Sequence, residues 1–158
     1  MIYKGCLKYW RIGIFLPLIY IVICLFVERM YFQSRPAPGF SRLAPETFVL
    51  VSRIAFSIGI LCIPVLYLLK RFWWASEGAL RRMNSPEKML HQLILRYLYL
   101  LCVCDLIGFT GMVLYLVQGQ MEVALRLCCV SMLAYAVVYP PRLKIDSIYF
   151  DLDQDRKS

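Results

Sequence analysis

Asp105 stands inside LCVCDLIGFTGMVLYLV (Leu101–Val117), a run otherwise free of charge and long enough to contribute most of a bilayer crossing. A carboxylate at the centre of a membrane helix costs about 2.5 to 3.5 kcal/mol even on lenient insertion scales. It must therefore be paired, be protonated or face water. Removal from water favours the neutral acid, whereas a nearby guanidinium favours the carboxylate. The chemistry open to Asp105 is thus an ion pair, a structural hydrogen bond, or proton or ion handling in a hydrated cavity.

Arg53 is the candidate partner, because it is the other charged residue well inside an apolar run. Asp105 lies nine residues inward from Arg96, and Arg53 seventeen from Lys70. At about 1.5 Å per residue the mismatch in depth is about 12 Å, so a direct bridge needs helix tilt or an intervening water. Arg53 has two further options, snorkelling to the outer interface or meeting Glu46 or Glu122. Glu122 and Arg126 are four apart and suited to pair with each other on one helix face.

Leu101, Cys104, Gly108, Gly111 and Tyr115 recur at intervals of three and four, which places them on one stripe with Asp105 at its border. Small residues allow close helix approach in lipid, so Cys104, Gly108 and Gly111 are the expected helix-packing positions. Leu114 is expected to face lipid.

Conventional catalytic chemistry has little support. His91 is the sole histidine and lies beside Lys88 and Gln92 in a polar turn. Ser52, Ser57 and Ser131 have no histidine at membrane depth to act as base. Metalloprotease, nucleophile-elbow, P-loop and dinucleotide fingerprints are missing from the sequence. Cys102 and Cys104 point to different sides of a helix and have no histidine at ligand spacing. No catalytic residue, metal or cofactor is expected.

The elements that carry these residues are membrane helices. The 158 residues are 61% hydrophobic and 18% charged, against roughly 45 to 50% and 25% in soluble domains. The expected fold is all-α, a single polytopic domain over residues 1–158 forming a four-transmembrane-helix bundle. Its helices are expected at about 10–31, 45–72, 86–118 and 122–139, with a cytoplasmic tail of mixed charge at 142–158.

Lys4, Lys8 and Arg11 before the first apolar run resemble a signal sequence, but Phe26 to Phe32 offers no small-x-small cleavage site. An uncleaved anchor is expected. Pro45-Glu46 marks the start of the second helix, with Pro64 a kink candidate, and Ser85-Pro86 caps the third. Gln118-Gly119-Gln120 closes the third, and Pro140-Pro141 stops the fourth. Tyr9, Trp10, Trp73, Trp74 and Tyr139 fall where an interfacial aromatic belt is expected.

Lys and Arg divide thirteen to five between alternating sides, which places both termini and the central loop in the cytoplasm. The net charge of +8 follows from this topology and head-group contact, and nucleic acid is not an expected partner. Expected partners are the lipid bilayer and a second copy or another membrane protein. The expected location is the cell membrane, the inner one in a bacterium. Six of the seven cysteines lie in apolar runs and read as small buried hydrophobes.

The segment RRMNSPEKMLHQLILRYLYLLCVCDLIGFTGMVL, within residues 81–115, resembles the polar loop and carboxylate helix of the c-type proteolipid of rotary ATPases. The resemblance implies a cytoplasmic loop and a proton-binding role for Asp105. It does not extend to the whole chain: the second helix has Gly59 as its only glycine, and two additional helices flank the hairpin. The expected function is a helix-packing or assembly component of a membrane, with proton or ion handling through Asp105 as the alternative.

Overall fold

The computed structural model describes residues 2–32, 39–40, 44–75 and 86–140. The Asn84-Ser85 turn, the side chain of Trp74 and the 142–158 tail lie outside the described residues. The fold is all-α, with helices α1 (Ile2–Val27), α2 (Pro45–Ala75), α3 (Pro86–Gln118) and α4 (Met121–Val137). A π-helical turn, Glu28–Phe32, continues α1.

The helices begin and end where local chemistry dictates, with one departure from expectation. The departure is that α1 starts at Ile2, ahead of the apolar run: no proline interrupts Tyr3 to Trp10, and the lysines, good helix formers, offset the single Gly5. Pro17 and Pro64 lie inside their helices, within the expected spans of 10–31 and 45–72. Elsewhere the punctuation is ordinary. Gly119 adopts a positive φ of 74° and its N–H donates to the Tyr115 carbonyl at 2.6 Å, the left-handed cap that ends α3. The Phe40 N–H donates to the Leu116 carbonyl at 2.9 Å, so the α1–α2 connection also helps close α3.

The antiparallel α3–α4 hairpin is the centre of the bundle, and α1 packs against both of its helices. The other flanking helix, α2, leans mainly on α4 and only lightly on α3. The core draws on all four: Phe48 and Leu66 from α2, Leu100, Cys104 and Ile107 from α3, Leu127, Ala134 and Tyr135 from α4, and Trp10 and Ile14 from α1 at its edge.

Three helices are long and apolar enough to cross a membrane, over Leu7–Tyr31, Pro45–Trp73 and Ile94–Gln118. Val22, Leu61 and Leu68 are each more than 60% exposed, on helices whose outer faces carry many more large apolar side chains. Apolar surface of this extent belongs in lipid. With 17 residues, α4 spans about 26 Å, somewhat short of the roughly 30 Å hydrocarbon core.

Leu114 differs from its expected lipid-facing position, being 8% exposed and part of the core. The reason is that α3 touches all three other helices, so its buried arc is wider than one stripe.

Candidate functional site

Asp105 is met by Tyr20 of α1. The phenol donates to the carboxylate at 2.9 Å from Oδ1 and 3.0 Å from Oδ2, a bifurcated bond across the helix interface. Gly108, one turn along α3, makes the approach possible. A Cβ there would lie 3.3 Å from Cδ2 of the Tyr20 ring and 3.2 Å from the Ser131 hydroxyl oxygen. The Tyr20 ring also stands edge-on to Phe109, with centroids 6.0 Å apart. Tyr20 therefore lies across α3, using the space Gly108 leaves.

The same face of α3 binds α4. Ser131, fully buried, donates to the Cys104 carbonyl at 2.7 Å. Gly111 is closer still, since a Cβ would fall 2.8 Å from the Leu127 Cβ and 3.2 Å from the Ala124 carbonyl oxygen. Cys104 is completely buried. Tyr135 fits against Gly13 of α1, where a Cβ would approach its ring to 2.6 Å, and its hydroxyl faces the Leu101 carbonyl at 3.4 Å.

A second tyrosine–carboxylate bond lies further along the same two helices. Tyr115, fully buried on α3, donates to Oε2 of Glu28 at 2.6 Å, and Glu28 opens the π-helical turn. The pattern is reciprocal. Tyrosine of α1 meets carboxylate of α3 at one level, and carboxylate of α1 meets tyrosine of α3 at the next. The order fixes α1 and α3 as parallel.

Arg53 sits elsewhere. It is exposed and borders a cleft of about 70 Å³ with Ser52, Phe56, Val123, Arg126 and Leu127. Along α4, Ser131 opposite Cys104 is five to eight residues from Arg126 and Val123, about 8 to 12 Å. Arg53 and Asp105 are thus at different depths and are not brought together. Arg126 is paired with Glu122.

At the other end of α4, Lys70 of α2 donates to the Val137 and Tyr139 carbonyls at 2.8 and 2.7 Å. Trp10 of α1 donates its indole N–H to the Tyr135 carbonyl at 2.8 Å and stacks edge-on against Tyr139 at 4.9 Å. Carbonyls near the helix end are held by α1 and α2 before Pro140.

Sequence reasoning missed Tyr20, Glu28, Tyr115 and Lys70 as polar partners. One signal was available: Tyr20 is nine residues beyond Arg11, as Asp105 is nine beyond Arg96, so two spans entering from one side carry donor and acceptor at one depth.

A further cleft, about 420 Å³ and open, lies between α2 and α3 with walls including Ile58, Cys62, Val103 and Leu106. Thr110 borders it, but its hydroxyl donates to the Leu106 carbonyl at 2.7 Å. Neither cleft is lined by Asp105. No group of three or more potential metal ligands occurs among the described residues. Comparison with known proteins finds no matching family, curated protein or solved structure.

Proposed function

We propose that this is a four-crossing protein of the cell membrane, both termini cytoplasmic, that serves as a packing or assembly component, with Asp105 a structural hydrogen-bonding group. The observation that carries this reading is the seat of Asp105. Its carboxylate takes a tyrosine hydroxyl in a contact built around Gly108 and Ser131, and it lies apart from both clefts. An acid so engaged joins two helices.

Helix directions support the topology. The tyrosine–carboxylate pairs make α1 and α3 parallel, and Lys70 near the end of α2 reaches the end of α4, as alternating crossings require. Tyr139 and Pro140 extend the short fourth crossing toward the interface. The exposed apolar faces of α1 and α2 supply surface for a second copy or a membrane-protein partner.

Proton flux separates this reading from proton handling. The full chain is reconstituted in liposomes with an internal pH dye and a pH step is applied. Relaxation equal for wild type and Asp105→Asn is expected, and flux lost in Asp105→Asn would move the assignment to proton transport.

A further inference from the structure

The cleft between α2 and α4 places two arginines from different helices on one small opening. Arg126 is neutralised by Glu122 on its own helix, while Arg53 has no ion-pair partner among the described residues. Ser52, the remaining polar wall, donates its hydroxyl to the Val49 carbonyl at 3.0 Å, so the guanidiniums are the donors the cleft offers. With Glu122 paired to Arg126, the group of two arginines and one glutamate keeps one net positive charge beside the opening. The other walls, Phe56, Val123 and Leu127, are apolar.

We propose that Arg53 and Arg126 hold the phosphate of an anionic phospholipid in the leaflet at the Pro45 and Met121 ends of the helices. Guanidinium forks match phosphate oxygens in pairs and bind them more strongly than neutral donors do. Arg53 lies eight residues from Pro45 and Arg126 five from Met121, about 12 and 8 Å from the helix ends. Upward-reaching side chains from that depth meet the head-group layer.

The surface below suits acyl chains. Seven residues on from each arginine, on the same helix faces, stand Ile60, 45% exposed, and Leu133, 59% exposed. The net positive charge of the arginine–arginine–glutamate group favours a net anionic head group over a zwitterionic one. This inference does not depend on the role assigned to Asp105.

The test uses the purified, delipidated full chain in neutral detergent, titrated with phosphatidylglycerol or phosphatidylcholine and read by native mass spectrometry. Wild type is expected to retain phosphatidylglycerol preferentially, and Arg53→Gln with Arg126→Gln to lower that retention at least about tenfold, as loss of charged hydrogen bonds implies. Arg71→Gln, at the opposite end of α2, should leave retention unchanged. Glu122→Gln frees Arg126 and should strengthen retention, a gain that misfolding cannot produce. Equal retention of the two lipids, weaker retention in Glu122→Gln, or displacement of the lipid by millimolar inorganic phosphate overturns the proposal.

Discussion

Tyr20 and Asp105 face each other at one depth on parallel helices, and the phenol of the first donates to both carboxylate oxygens of the second. Ten residues further along α3 the roles reverse, with Tyr115 donating to Glu28. Two polar bonds of opposite sense fix both the register and the rotation of α1 against α3. Apolar packing alone would tolerate slippage more readily, since in lipid one aliphatic contact is much like another.

Asp105→Asn is expected to be nearly silent in stability. The amide oxygen accepts the Tyr20 proton in almost the same place, so the interhelical bond survives. Thermal unfolding in detergent, compared across pH for wild type and variant, checks this. A large loss on amide substitution would show that the negative charge, rather than an acceptor, is what the site requires.

Gly111→Ala should destabilise the bundle by about 1 to 3 kcal/mol, the usual cost of forcing atoms into a packed core. The added Cβ meets the Leu127 Cβ at 2.8 Å and the Ala124 carbonyl oxygen at 3.2 Å, one of them backbone. Gly108→Ala should cost less, because its nearest neighbour, the Ser131 hydroxyl oxygen, is 3.2 Å away. Leu106→Ala, on a residue 60% exposed, provides the tolerant control in the same denaturation series.

Lys70→Met keeps the aliphatic stem and removes the donor to the Val137 and Tyr139 carbonyls. A loss of about 1 to 3 kcal/mol is expected from the stranded carbonyls. Hydrogen exchange should show the last turn of α4 opening first, while the Asp105 region keeps its protection. Uniform loss of protection along α4 would indicate that Lys70 stabilises the whole helix rather than its end.

The proposed topology predicts that cysteines placed at Ser85 and Ser158 react with membrane-impermeant maleimide only from the cytoplasmic side. Labelling of the two from opposite sides would remove one crossing, and the short α4 is the helix it would remove.

The helices were legible in the sequence because their signals are local. Pro45, Pro86 and Gly119 mark boundaries through backbone chemistry, and the interval of three and four marks the stripe of Cys104, Gly108 and Gly111. Partnership is not local. Arg53 invites pairing with Asp105 on charge alone, yet the neighbour in space is Tyr20, because α1 rather than α2 lies parallel and close to α3 at that level. Leu114 was misplaced for a related reason: a helix central to a bundle buries more of its circumference than one stripe reveals.

The central claim is that Asp105 is held by Tyr20 and not by Arg53, and a pair of double-mutant cycles tests it most directly. Stability is measured in bilayer or detergent for Tyr20→Phe, Asp105→Leu, Arg53→Leu and the two doubles that include Asp105→Leu. Tyr20→Phe should cost about 1 to 3 kcal/mol by leaving a carboxylate without its donor, and Asp105→Leu should absorb most of that cost, giving a coupling of at least about 0.5 kcal/mol. Arg53→Leu and Asp105→Leu should be additive. Strong coupling of Asp105 to Arg53, with none to Tyr20, would contradict the account.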